Sequence, residues 1–215
     1  MHLALLLFAS LVVAQTSASG GGIDVSHYNG DINWQRVKAA GIQFAMAKAT
    51  EGNHFEDSKF VVNFNGMKSN GIKAGAYHYL RGGPTATSQV AKIRAVLQKV
   101  NFDPIRDVLA IDVEKGGNEK ATADAMAETL NGVLDGLKST YKNIYIYTGP
   151  YYWENEVSWR KFNFSQYNLW IAHYTPQSSP KIPTTWKNKG YTWWQFTDKG
   201  KVDGIKGNVD LNRIK

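Results

Sequence analysis

What most constrains this chain is the regular return of short, almost continuously apolar β-rich runs between helical patterns. Gly22–Ser26 (GIDVS), Phe44–Ala49 (FAMAKA), Ile72–Leu80, Val108–Glu114 (VLAIDVE) and Ile144–Thr148 read as strands. Runs that are apolar at consecutive positions belong to strands buried on both faces, as in parallel sheets covered by helices. Between them lie helical stretches: Asn33–Ala40, stopped by Gly41, and Lys59–Ser69, stopped by Asn70-Gly71. Ser88–Val100 carries a stripe of Val90, Ile93, Leu97 and Val100, and Ala121–Ser139 places Ala125, Leu130, Val133 and Leu137 inward. After Thr148 the runs Leu169–His173, Tyr191–Phe196 and Val209–Asn212 are strand-like, with no full-length helix between them. Five strand–helix units followed by three strands imply a parallel sheet of eight strands, closed most simply into a barrel. A complete (β/α)8 barrel takes ~250 residues. This chain has 215 and falls short where the late helices are missing. The expected fold is therefore α/β, an irregular TIM-like (β/α)5(β)3 barrel in one domain over 22–215. An open flavodoxin-like sheet is the alternative.

Leu3–Ala14 is an unbroken apolar and small-residue run, shorter than the ~20 residues a bilayer span needs. Val12 and Ala14 fit the small-residue cleavage rule, so 1–14 is expected to be a signal peptide, with Gln15 the first mature residue. Residues 15–21 read as a short flexible connector. A secreted, extracellular protein that neither enters nor binds a membrane is expected. There is no cysteine, which excludes disulfides, thiolate metal sites and Cys nucleophiles. The net charge of +7 suits an anionic cell-wall surface. The basic residues are scattered, so no nucleic-acid partner is expected. HExxH, Asp-rich calcium loops and GxSxG elbows are absent, and the early glycines precede a strand and cannot form a phosphate loop. Neither a metal nor a cofactor is expected. Asn163-Phe-Ser165 is a glycosylation sequon.

The chemistry concentrates at Asp112 and Glu114. Alternation in a strand sends residues i and i+2 to the same face, so these carboxylates point the same way. Like charges held that close push one pKa up. A proton donor beside an anion is what glycosidic bond cleavage uses. The plainer reading is one acid neutralised by Lys48 or Lys115. In a barrel of this type the reactive residues gather at the C-terminal strand ends. There the strands carry Asp24, Glu51, Tyr77 with His78 and Tyr79, the Asp112/Glu114 pair, Tyr145 and Tyr147. The last three carry Trp170 with His173 and Tyr174, Trp193 with Trp194 and Gln195, and Asp210. A structural role explains one such acid but not four, since unpaired buried carboxylates are costly. Acids ringed by aromatic faces point to a saccharide cleft, with His78 and His173 as hydrogen-bonding residues in it.

GIDVSHYNGDINW (Gly22–Trp34), AKATEGNHF (Ala47–Phe55), GAYHYL (Gly75–Leu80), AIDVE (Ala110–Glu114) and VDLNR (Val209–Arg213), in this order and spacing, resemble glycoside hydrolase family 25, the Chalaropsis-type lysozymes. The resemblance runs from about Gly22 to the end of the chain. It implies a β/α barrel with irregular late units and an N-acetylmuramidase acting on bacterial peptidoglycan, hence a wall-lytic, antibacterial activity. By that resemblance the family's Asp-x-Glu pair falls on Asp112 and Glu114, its first-strand Asp on Asp24 and its last-strand Asp on Asp210. Its Lys-x-x-Glu-Gly segment falls on Lys48, Glu51 and Gly52. Glu114 is the expected general acid, its pKa raised by Asp112, Asp24 and Asp210. Asp112 is expected to assist the substrate's acetamido group, to which Tyr147 would hydrogen-bond. Tyr77, Trp170, Gln195 and Glu51 are the other expected substrate-binding residues, and a monomer the expected form. Chitinases share a barrel and a D-x-x-D-x-D-x-E strand, but the register from Asp107 puts Ala110 where one of those acids would be. A barrel that binds saccharide without cleaving it is the other alternative.

Overall fold

The computed structural model describes residues 21–215; the signal peptide expected over 1–14 and nearly all of the connector lie outside the described residues. Nine strands form one sheet. They are β1 (Gly22–Val25), β2 (Phe44–Glu51), β3 (Phe55–Glu56), β4 (Lys73–Tyr79), β5 (Val108–Val113), β6 (Ile144–Thr148), β7 (Asn168–Ala172), β8 (Trp193–Gly200) and β9 (Val209–Ile214). Five helices accompany them: α1 (Trp34–Ala39), α2 (Phe60–Ser69), α3 (Ala86–Leu97), α4 (Ala123–Leu137) and the short α5 (Pro150–Glu156). The strand order β1-β9-β8-β7-β6-β5-β4-β2 closes on itself through a β1–β2 pairing. Eight strands thus make a closed barrel, and the open-sheet alternative falls.

Two features depart from the expected sheet. β9 is antiparallel to both β8 and β1, in place of the all-parallel order. The cause is the short 201–208 connection: a parallel return needs a crossover of about a dozen residues or more. The two-residue β3 folds back antiparallel on the end of β2, outside the ring. Its pairing follows a register shift between Lys48 and Thr50, a bulge that inserts one residue into β2.

The strands are apolar on consecutive residues because they separate two cores. Ile23, Ala45, Leu109, Ile111, Val113, Ile146 and Ile171 face outward to the helices. Phe44, Met46, Val108, Ala110, Tyr145, Tyr147, Trp170 and Trp193 fill the barrel interior. The interior has no slack: a Cβ at Gly75 would lie 2.1 Å from the Met46 sulfur, and one at Gly22 2.3 Å from the Phe44 ring. Glycine at those two positions makes room for the large residues opposite. Three of the five helices start where a side chain accepts an orphan amide: Asn33 from Arg36, Thr85 from Ser88, Thr122 from Ala125. On α4 the buried stripe is Met126, Leu130, Val133, Leu134 and Leu137, one residue displaced from the expected start at Ala125. Among the described residues no helix is long and apolar enough to cross a membrane.

Candidate active site

At the mouth formed by the C-terminal ends of the parallel strands, a polar cavity of about 220 Å3 opens over the interior core. Asp24, Tyr77, Asp112, Glu114, Tyr147, Trp170, Tyr174, Gln195 and Asp210 line it. The four acids and four of the five other expected site residues therefore converge; Tyr174 joins them. Asp210 arrives by a route the all-parallel reading did not contain. It stands at the start of an antiparallel strand, and that start, not the end, reaches the mouth, directly opposite Asp24 in the β1–β9 register.

One wall is a fixed hydrogen-bond network. Asp24 accepts from Gln195 Nε2 at 2.9 and 3.1 Å and from Asn212 Nδ2 at 2.7 Å. Gln195 Oε1 in turn accepts from Tyr147 at 2.9 Å and from Tyr174 at 2.7 Å, and Asn212 Oδ1 from Trp170 Nε1 at 2.6 Å. Burial pushes the Asp24 carboxyl up, and the donors from Asn212 and Gln195 oppose the rise. Asp210 has no such donors; burial and the Asp24 charge push it up to about 8. The pair therefore shares one proton, carried by Asp210 and presented to Asp24.

The other wall is the Asp112/Glu114 pair. Asp112 is 5% exposed, and its Oδ1 is buried without any hydrogen-bond partner. Burial, then the Glu114 charge, hold its pKa well above the ordinary carboxylate value. Glu114 is half-buried, and its pKa is raised chiefly by burial. Asp210 adds to that rise, while Lys48 and the Tyr79 hydroxyl oppose it. The expectation that neighbouring anions do most of this is thus corrected: desolvation leads, and the effect of Asp112 and Glu114 on each other falls mainly on Asp112. Neither candidate lysine neutralises the pair. Lys48 pairs with Glu51 at 2.6 Å, and Lys115 reaches Glu156 at 4.0 Å.

Glu51 does not line the acid cavity. It is held by Lys48 and Arg81 and borders a separate hollow of about 550 Å3. Burial pulls its pKa up, but the two cations outweigh that and hold it below the usual value. The β2 bulge makes the Lys48–Glu51 pair possible, because the extra residue turns both side chains to the mouth. Lys48 also lies over the Tyr79 ring at 4.9 Å.

Several residues at the strand ends do not reach the cavity. His78 is fully buried on the outer face, between Thr50 and Gln89, and burial lowers its pKa to about 4. It is no cleft residue, because Tyr77 beside it already points inward. His173 packs against Tyr151 and accepts from the Lys181 amide. Trp194 faces outward, and Tyr145 and Trp193 pack together deep in the interior. Asp107, the start of the chitinase-like register, lies at the far end of β5 and pairs with Lys68 at 2.8 Å. Asn212 is the network residue the sequence reading missed; its place two residues after Asp210 was the available signal.

A closed β/α barrel whose mouth collects two carboxyl pairs between aromatic walls has the make-up of a glycoside hydrolase. Comparison with known proteins makes this specific: residues 23–205 match the model of glycosyl hydrolases family 25, and the chain belongs to that family. It is 34% identical over 197 residues to the uncharacterized protein YegX of Escherichia coli K12, covering 89% of this chain and 68% of that one. It is 31% identical over 202 residues to lysozyme M1 of Streptomyces globisporus, covering 90% and 67%. Its fold superposes on the bacterial lysozyme of Streptomyces coelicolor with a TM-score of 0.79, at 30% identity and 93% coverage of both chains.

Proposed function

We propose that this protein is a secreted lysozyme that hydrolyses the β-1,4 bond between N-acetylmuramic acid and N-acetylglucosamine in bacterial peptidoglycan. The observation that carries this reading is the unequal housing of two carboxyls on one strand end. Asp112 is sealed, with an unpartnered oxygen, and Glu114 stands half-open at the rim of the same cavity. The likeness to lysozyme M1 and to the Streptomyces coelicolor lysozyme supports the choice of substrate.

Glu114 is the general acid. Its raised pKa keeps a proton available above the ordinary carboxylate range. That proton goes to the glycosidic oxygen as the bond from C1 breaks, and N-acetylglucosamine leaves with a free 4-hydroxyl. The carbonyl oxygen of the muramic acid's acetamido group forms the new bond to C1, giving a cyclic cationic intermediate. Asp112 orients and stabilises that group: its free oxygen accepts the amide N–H and, once ionised, offsets the ring's positive charge. A donor at that oxygen lowers the pKa of Asp112, so bound substrate favours the proton on Glu114 over Asp112. Tyr147, whose hydroxyl donates to Gln195 in the free protein, turns that proton to the carbonyl oxygen of the same acetamido group, whose one N–H is taken by Asp112. Glu114 then takes a proton from water as water opens the ring, and the anomeric configuration is retained. Asp24 and Asp210 form the anionic wall opposite. Tyr77, Trp170 and Gln195 shape the cavity, and Glu51 holds Lys48 where its charge acts on both catalytic carboxyls.

The protein acts as a monomer exported by the segment 1–14, and its positive charge of +7 assists attachment to anionic walls. Proton NMR of the first product tests the mechanism: a β-configured muramic reducing end supports it, and an α-configured one sinks it. Glu114→Gln removes nearly all turnover while leaving the unfolding transition in place; an active variant removes Glu114 from its role.

A further inference from the structure

Seven large hydrophobic side chains stand exposed among the described residues, and the four aromatic ones are Tyr28, Phe55, Tyr151 and Tyr174. All four occupy segments that leave the C-terminal ends of parallel strands, at the mouth of the barrel. Tyr28 follows β1, Phe55 follows β2, Tyr151 follows β6 and Tyr174 follows β7. The exposed aliphatic residues lie elsewhere: Val62 on α2, and Ile105 and Ile214 at the opposite end of the barrel.

The ring order turns this into a direction. Around the closed barrel, the β1/β2 pair and the β6/β7 pair are four strands apart, half of the circuit. The aromatic groups therefore face each other across the mouth, with the acid cavity between them. Each group is braced. Tyr28 lies 4.0 Å from the His27 ring, Phe55 lies 5.8 Å from the same ring, and the buried Asp57 pins His27 Nδ1 at 2.7 Å. Across the mouth, Lys181 Nζ sits 4.3 Å from the Tyr151 ring centre, and the Tyr174 hydroxyl is tied to Gln195. Rings held in place before binding cost little to order and offer flat faces to the C–H faces of sugars. A cavity of about 220 Å3 accepts one sugar residue and little more, so a longer chain must lie over its rim on both sides.

We infer that Tyr28 with Phe55, and Tyr151 on the opposite rim, are stacking platforms for sugars distant from the cleaved bond. The substrate is then a β-1,4-linked amino-sugar strand running from the β1/β2 rim to the β6/β7 rim, and the enzyme cuts within long strands in preference to short ones. This rests on the glycosidase reading above.

The test uses soluble, uncross-linked peptidoglycan strands sorted by length. Calorimetry measures their binding to the Glu114→Gln protein, and kcat/KM is measured with the parent. Affinity and kcat/KM rise from the disaccharide to long strands. Tyr28→Ala and Tyr151→Ala each lower long-strand affinity by about three- to tenfold, the worth of one aromatic stack, and Tyr28→Trp and Tyr151→Trp retain it. The loss shrinks on short strands. If the parent cleaves the strands but both alanine variants, folded by their unfolding transitions, keep the parent's length dependence, the platforms are overturned and the function stands. If the parent neither cleaves strands of any length nor binds them as Glu114→Gln, the function falls and takes this inference with it.

Discussion

Asp210→Asn tests the shared proton on the cavity wall through stability alone. In the folded protein Asp210 holds its proton up to about pH 8. In the unfolded chain it releases that proton near 4. Between those values the native state binds one more proton than the unfolded state, so stability falls as pH rises through the window. The slope for one fully retained proton is about 1.4 kcal/mol per pH unit. Asp210 keeps some solvent exposure, and screening reduces this to on the order of 1–2 kcal/mol in total between about pH 5 and pH 7. Asparagine is neutral throughout and its amide can still donate to Asp24. The variant therefore lacks this descent: it matches the parent near pH 4 and becomes the more stable of the two toward neutral pH. Guanidinium unfolding midpoints at a series of pH values, with unchanged m-values, read the difference. Parallel curves, or a parent that gains on the variant with rising pH, would mean Asp210 is ionised in the fold and would refute the shared proton.

Lys48 lowers the pKa of both Asp112 and Glu114. In the proposed mechanism turnover needs protonated Glu114 and falls as pH rises through its pKa, so Lys48→Met is expected to move that alkaline descent to higher pH. A pH–rate profile on wall suspensions checks this, and a descent unmoved or shifted to lower pH would contradict it. Gly75→Ala puts a Cβ 2.1 Å from the Met46 sulfur and 3.0 Å from the Val108 carbonyl oxygen inside a filled barrel. It should destabilise by about 1–3 kcal/mol, much of it recovered by pairing it with Met46→Ala; denaturation midpoints at the two sites decide. Export from a secreting host should yield a mature amino terminus at Gln15, read by intact mass; retention of residues 1–14 would remove the leader assignment.

The barrel was legible because its strands are buried on both faces and write themselves as apolar runs, of which Ile144–Thr148 matched to the residue. The acid convergence was legible for a related reason: alternation from Ala110 puts Asp112 and Glu114 on the inner face. What escaped was whatever depends on a slip or on a partner far along the chain. The bulge in β2 changes which side chains face the mouth, and nothing in FAMAKATE announces it. β3 is two residues long, too short for any periodicity. The reversal of β9 was hidden because β8 runs on to Gly200, past the expected end at Phe196, and only that extension shortens the connection to 201–208; the outward turn of His78 was recoverable from the inward Tyr77. Asn212 pairs with Asp24 across 188 positions, a link that exists only once the barrel closes.

The proposed reaction is cleavage of peptidoglycan by the Asp112/Glu114 mouth on the reducing side of muramic acid. Its most direct test is clearing of a Gram-positive wall suspension by the purified protein, followed by borodeuteride labelling and mass spectrometry of the released fragments. Label is expected on N-acetylmuramic acid, with none from the Glu114→Gln protein. Label on N-acetylglucosamine, or no clearing by a folded protein, would contradict it.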